Sequence, residues 1–276
     1  MDFTFCSILA EAEGEPVEGT APEKDSAILL PAQKTFWHID SAKEKLKSFS
    51  MHTDLGQAVA SFNCPLIVYY SPNELSENLI FVADSSGIKC FSDTGLKVER
   101  EVKQLFAVCT DGKKDPCCSK FGIPIAKLFM KECTKDQYAL SFQTSHIGGC
   151  RFAATVICFP SGNSYGRIHP DHVNEIVTSE KNRSVVSKIF RGNVFVSEIH
   201  CWIIRHSMEN FGSNPTPAQI QIFEEGDLFH ITISPANKPK FKFDLLHRQN
   251  KFQLFSGCSN IESGRSIIRS IYDFVD

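Results

Sequence analysis

The period of the apolar positions changes along the chain and marks out three regions. In the first, residues 1 to about 100, short apolar runs alternate with polar stretches. Residues 6–12 (CSILAEA) read as a short helix, and GEPVEGTAPEKD (14–25), rich in Gly and Pro, reads as loop. SAILLP (26–31) is an unbroken apolar run of the kind a buried strand shows. SAKEKLKSF (41–49) is charged and helical in pattern. CPLIVYYSP (64–72) and NLIFVADSSG (78–87) are β-branched and aromatic runs closed by turn residues, hence strands, with IKCFS (88–92) as a short pairing strand.

The second region runs from 101 to 190. VKQLFAVC (102–109) is a strand ending on Cys109, and TDGKKDPC is a polar loop. SKFGIPIAKLFMKEC (119–133) is a helix with Ile125, Leu128 and Phe129 on one side. Gly122 and Pro124 place its start late, with Pro124 in the first turn. YALSFQTS (138–145) alternates as a strand does. RFAATVICFPSG (151–162) is a third strand and SYGRI (164–168) a fourth. PDHVNEIV (170–177) opens with Pro and an acid, as a helix does. Strand, helix, strand, two strands as a hairpin and a final helix is the thioredoxin-like order, a mixed sheet with helices on both faces.

The third region, 191–276, starts with a helical stripe in VFVSEIHCWIIRHSMENF (194–211), made of Val196, Ile199, Ile203 and His206. AQIQIFEEGDLFHITISP (218–235) is a hairpin turning at EEGD, and KFKFDLLH and KFQLFSGC continue the alternation. The predicted fold is therefore α/β (α+β overall). An N-terminal α/β unit (1–100) precedes a thioredoxin-like domain (101–190), and a small C-terminal helix-plus-β cap (191–276) follows.

Composition narrows the function. The chain has 276 residues, 42% hydrophobic and 22% charged, enough for a packed core throughout. A net charge of -3 argues against a general nucleic-acid binder, whose phosphate contacts need a basic surface. No apolar run reaches the roughly 18 residues a membrane span needs. The N-terminus has an acid at Asp2 and no basic segment, so it does not read as a signal peptide. A cytoplasmic protein is expected.

The 11 cysteines are an odd number, and a cytosolic chain keeps its thiols reduced, so a disulfide framework is a poor reading. Cys64, Cys158 and Cys201 lie in apolar runs and read as buried small hydrophobes. Four other positions stand out. Cys109 and Cys118 are separated by eight residues in CTDGKKDPCC; His146 and Cys150 are separated by three in HIGGC. Each pair follows the end of a strand, and both strands belong to one predicted sheet, so the two loops can converge. Thiolate and imidazole suit iron–sulfur clusters and zinc. Gly148 and Gly149 let the backbone bend tightly between the last pair. A spacing of eight is long for a zinc knuckle and suits a wider two-iron cluster. Cys117 rivals Cys118; adjacent residues of an extended loop point in opposite directions, so one of the two faces the centre. His169 and His172 read as helix-start residues, and His200 and His206, six apart, do not share a helix face. No role is assigned to Cys6 or Cys258.

CTDGKKDPCCSKFGIP and SHIGGCRFAATVICFPSGNSYGRIHPDHV resemble the sucrase/ferredoxin-like family, whose core is a thioredoxin-like ferredoxin. CSILAEAEGEPVEGTA, the FRGN segment and the late SGC resemble the family more weakly at the two ends. The resemblance implies a [2Fe-2S] cluster held by Cys109, Cys118, His146 in the family's His-x-Gly-Gly element, and Cys150. Cys150 departs from the family pattern, where that position is often His in eukaryotic members and varies in bacterial ones. A Cys₃His cluster carries less negative charge than an all-Cys one. Its potential should move up toward the Rieske range, roughly -150 to +300 mV, from about -400 mV for plant-type ferredoxins. No pair of carboxylates can be assigned to glycoside hydrolysis, so "sucrase" describes no expected activity. Lys113, Lys114, Lys120 and Arg151 flank the four residues and suit the docking of an acidic redox partner.

The expected function is intracellular electron transfer rather than transformation of a substrate, with a reductase or acceptor protein as partner. Two other readings stand beside it. A thiol–disulfide oxidoreductase fits the fold, but C-x-x-C is missing at the first helix of the redox domain. A zinc-binding or interaction module is the other.

Overall fold

The strand β6 (Gln104–Cys109) lies in the middle of the largest sheet and is buried along its whole length. Leu105, Ala107 and Cys109 point to one side, Phe106 and Val108 to the other, and each set joins a different hydrophobic core. An unbroken apolar run is what a strand covered on both faces requires. The computed structural model describes residues 4–34, 53–60, 66–70, 79–236, 238–252, 257–259 and 267–275.

Around β6 the chain builds β6–α3–β7–β8–β9–α4. Helix α3 is Pro116–Cys133, β7 is Ala139–Thr144, β8 Val156–Phe159, β9 Asn163–Tyr165 and α4 His172–Lys181. Strand β7 runs parallel to β6, β8 antiparallel to it, and β9 antiparallel to β8. The spatial order β9-β8-β6-β7 with those directions is the thioredoxin arrangement. Ile125, Ala126 and Phe129 of α3 and Val173, Ile176 and Val177 of α4 cover the Phe106 side. Cys6, from α1 (Cys6–Ala12), and Val194 cover the other.

The same sheet continues beyond this unit. Strands β1 (Ser26–Pro31), β2 (Leu66–Tyr70), β3 (Ile80–Asp84), β4 (Gly87–Phe91) and β5 (Lys97–Val98) extend it from β7 in the order β7-β2-β1-β3-β4-β5. The junction is β2 against β7, where Tyr69 pairs with Thr144 and its ring stacks on Phe142 at 4.1 Å. Strand β10 (Phe190–Asn193) closes the opposite edge beside β9. The sequence boundary near 100 thus falls between strands of one sheet. Helix α2 (Asp54–Ala60) belongs to the same N-terminal stretch, whereas the helix expected over 41–49 lies outside the described residues.

Helix α5 (Glu198–Phe211) faces two cores. Its Ile204 packs among the residues of α4 and β8, while Trp202 and Ile203 pack on Ile231, Ile233, Phe243 and Leu245. Those four belong to an antiparallel sheet in chain order: β11 (Ile220–Glu225), β12 (Leu228–Ile233), β13 (Phe241–Phe252) and β14 (Ile267–Val275). Gly226, at φ +63, opens the two-residue turn of the β11–β12 hairpin.

Three elements differ from their sequence reading. Helix α3 starts at Pro116, well before the late start that Gly122 and Pro124 suggested. Asp115 caps it, its carboxylate accepting from Cys117 N at 2.9 Å, and Pro116 occupies the first turn, where a missing N–H costs nothing. Gly122 serves close approach rather than termination: a Cβ there would collide with the carbonyl oxygen of Cys109. The third strand starts at Val156, not 151, because Cys150–Phe152 form a 3₁₀ turn closed by Phe152 N donating to Gly149 O at 2.8 Å. The fourth ends at Tyr165. Arg167, at φ +50, turns the chain out of the sheet and its N–H donates to Phe152 O at 2.7 Å.

Gly122→Ala should destabilise the protein by about 3 kcal/mol, the upper end for overpacking, because the obstacle is backbone rather than a movable side chain. Denaturant unfolding measures this, and a loss below about 1 kcal/mol would mean that α3 does not sit on β6 as described.

Candidate metal centre

Cys109 is the last residue of β6, and Cys118 lies in the first turn of α3. Gly122, four residues after Cys118, is on the same helix face and rests on the Cys109 carbonyl. That contact sets the Cys118 thiol beside the Cys109 thiol. Cys117 is one residue, about 100°, further round the helix and points elsewhere. The two cysteines diverge because they sit on a helix, not on the extended loop that the sequence suggested.

The second pair comes from the turn after β7. Gly148 and Gly149 have φ of +90 and +82, backbone that other residues adopt only with strain. They fold the chain so that Cys150 Sγ lies 3.4 Å from His146 Nδ1. The two loops are tied together by Asp111, whose carboxylate accepts from Lys114 N and from His146 N, each at 3.2 Å.

The ligand atoms of Cys109, Cys118 and His146 all lie within 4.8 Å of one another. Cys150 falls outside that group of three and joins it through His146, its sulfur 3.4 Å from the ring nitrogen. The three cysteines are buried, and His146 alone is partly exposed. The Cys118 thiol and the His146 ring hold Cys109 down at about 5 against its burial. The same two neighbours bring Cys150 down to about 7. Cys118, bonded to both and buried, is pushed up. The thiolates of Cys109 and Cys150 raise His146 to about 10.

These donors fit an iron–sulfur group or a thiophilic metal: three sulfurs and one imidazole nitrogen, largely shielded from water. Two orphaned donors point the same way. The hydroxyls of Thr110 and Thr144 are buried with no hydrogen-bond partner among the described residues. Thr144 is the register partner of Cys109, so both side chains leave the sheet on one face. An unpartnered buried hydroxyl is costly unless something accepts from it.

Sequence reasoning passed over three charged residues that support the turn carrying His146 and Cys150, one directly and two through Arg151. Arg191, in the FRGN segment, is 1% exposed and donates to Gly148 O at 3.3 Å and Thr20 Oγ1 at 2.9 Å. Its guanidinium occupies the space a side chain on Gly149 would need. Glu15, fully buried, pairs with Arg151 at 2.8 Å and with Arg269 of β14 at 2.9 Å. Arg151 is thus held inside the protein, whereas Lys113, Lys114 and Lys120 are exposed. The signal for Arg191 was a single charge within an otherwise apolar run. Nothing local marks Glu15 or Arg269. His169 and His172 sit at the start of α4, where His169 N donates to His172 Nδ1 at 3.2 Å.

Fold and site together define a thioredoxin-fold protein with a buried cysteine–histidine centre. The chain belongs to the sucrase/ferredoxin-like family, whose model matches residues 6–192. No curated protein matches the chain. Among solved structures it is similar to a thioredoxin-like [2Fe-2S] ferredoxin from Aquifex aeolicus. Identity is 22%, over 33% of this chain and 91% of that one, with a TM-score of 0.30. The wild-type ferredoxin at 1.5 Å resolution gives 23% identity, 33% and 97% coverage and a TM-score of 0.29. No helix among the described residues is long and apolar enough to cross a membrane.

Two outcomes follow from the charges. A metal bound by His146 at pH 7 must displace a proton from the ring, so loading should improve as pH rises toward the ring's pKa of about 10. Reconstitution at pH 7 and at pH 9 measures this, and equal loading would mean that neither His146 nor the raised Cys118 gives up a proton on binding. Glu15→Ala removes the carboxylate shared by Arg151 and the buried Arg269 and should cost about 3 kcal/mol in unfolding experiments.

Proposed function

We propose that the protein is an electron carrier holding a [2Fe-2S] cluster on Cys109, Cys118, His146 and Cys150. The observation that carries this reading is the grouping of Cys109, Cys118 and His146, with Cys150 against His146, beside the ends of two adjacent parallel strands. When bound, such a cluster takes up and gives back single electrons.

The chain's own residues then have distinct tasks. Cys109, Cys118 and Cys150 supply anionic sulfur away from water. The Arg191 guanidinium, buried behind the Gly148–Gly149 turn, favours added negative charge and so favours the reduced state. The Thr144 hydroxyl, buried without a partner and on the same sheet face as Cys109, would act in the same direction by donating to sulfur. His146, the partly exposed donor, is the way out to a partner, and a proton on its outer nitrogen can follow the electron. Lys113, Lys114 and Lys120 give this side of the molecule exposed positive charge, which suits an acidic redox protein.

Thiol–disulfide exchange is disfavoured by burial. Cys109 is 1% and Cys118 2% exposed, so neither sulfur can reach a disulfide in solution.

Anaerobically purified protein should contain about two iron and two acid-labile sulfide per chain and absorb in the visible. Cys109→Ser and Cys118→Ser should each lose the cluster; iron retained at the wild-type level in both would sink the assignment. His146→Cys replaces a neutral donor with an anion. It should keep the cluster and lower its potential by on the order of 100 mV or more. An unchanged potential would exclude His146 as a ligand.

A further inference from the structure

A second group of thiols lies on the far side of the α3 N-terminus. Cys117 Sγ is 3.2 Å from Cys258 Sγ and 3.5 Å from Cys6 Sγ. Asp115 Oδ2 is 3.9 Å from Cys6 Sγ. The ligand atoms of all four residues lie within 4.8 Å of one another, and all four residues are buried. None of the three thiols forms a disulfide.

We infer that Cys6, Cys117, Cys258 and Asp115 form a second metal site, a structural Zn²⁺ site distinct from the centre at Cys109, Cys118, His146 and Cys150.

Three lines of chemistry support it. Three sulfurs and one carboxylate oxygen make a four-donor set that suits a borderline-soft ion of tetrahedral preference. With Zn–S near 2.3 Å, sulfurs around one zinc lie about 3.8 Å apart. The observed 3.2 and 3.5 Å need only a small outward movement to reach that. A three-thiolate site in a buried pocket is strongly anionic, and without a cation its members would have to hold protons among themselves.

The surroundings are built for anionic sulfur. Cys6 N–H donates toward Cys258 Sγ at 3.4 Å, and Ser7 Oγ donates to Cys117 Sγ at 3.4 Å. Asp115 is oriented at both oxygens: Oδ1 accepts from Cys117 N at 2.9 Å and Oδ2 from Cys258 N at 2.8 Å. Structural metal ligands are characteristically held by such outer contacts. Gly257 permits the last of them, since a Cβ there would lie 2.8 Å from Asp115 Oδ2.

The site's position gives its role. Cys6 comes from α1, Asp115 and Cys117 from the start of α3, and Cys258 from the segment between β13 and β14. Cys6 and Cys258 are 252 residues apart. A metal bound by the folded chain alone stabilises it by its own binding free energy, and it closes a loop whose entropy is large in the unfolded chain. It would clamp both ends of the chain to the helical turn that also carries Cys118.

The test counts both metals on full-length protein purified without oxygen from zinc-sufficient cells. Wild type should carry about one zinc per chain besides its iron. Cys258→Ser should bring zinc below about one tenth of that while keeping the visible absorption, whereas Cys109→Ser should lose iron and keep zinc. Wild type that takes up no zinc even after incubation with Zn²⁺ would overturn the inference, and this result does not depend on any variant folding. Zinc lost in Cys109→Ser but kept in Cys258→Ser would overturn it too, and would place zinc in the centre reserved for the cluster. Zinc absent with iron and sulfide present would overturn this inference alone. A mass two hydrogen atoms lower, mapped to a disulfide among Cys6, Cys117 and Cys258, would likewise replace the metal site with a covalent link.

Discussion

Helix α3 meets strand β6 backbone against side-chain-free backbone, with Gly122 on the carbonyl of Cys109. That contact needs a residue without a Cβ, and it fixes the height and rotation of the helix at once. From it follow the neighbouring of Cys109 and Cys118, the burial of Ile125, Ala126 and Phe129 against Phe106 and Val108, and the outward turn of Cys117 toward α1. Asp115 and Pro116 complete the seating by giving the helix a defined first turn where the loop ends. The loop–helix junction therefore distributes two adjacent cysteines to two different groups of side chains.

Electrostatics hold the surroundings in place. Glu15 lies between Arg151, next to Cys150, and Arg269, in the C-terminal sheet. Thr20 lies against Arg191, which supports the Gly148–Gly149 turn. The stretch from residue 13 to 20 is thus the connecting piece between the thioredoxin unit and the second sheet, although its own sequence is loop-like. Buried pairs of this kind define relative position more than they add net stability.

Much of the fold was legible because it is written in local pattern. The hairpin β11–β12 shows alternation on both sides of EEGD, β7 alternates too, and β6 and β8 show the apolar runs of buried strands. The four residues of the first centre could be singled out because cysteine and histidine stood in polar, Gly-containing loops just past strand ends. The start of α3 was misread because Gly122 and Pro124 are helix breakers in isolation, while their cost here is met by packing that local pattern does not carry. The stronger signal, Asp followed by Pro at 115–116, was present in the chain. Arg191, Glu15 and Arg269 were missed because each matters through partners distant in sequence, 27 or more residues away. The grouping of Cys6 with Cys117 and Cys258 was equally invisible, since separations of 111 and 141 residues leave no periodic trace.

Those separations also set an order of completion during synthesis, which proceeds from the N-terminus. Cys109, Cys118, His146 and Cys150 emerge within one stretch, so their group can close while the rest of the chain is still being made. Cys6 and Cys117 must wait for Cys258, and Glu15 must wait for Arg269. A chain halted before residue 258 has all four residues of the candidate centre and leaves Cys6 and Cys117 without Cys258. For this protein, premature termination would yield a species that is assembled at its heart and unfinished at its seam.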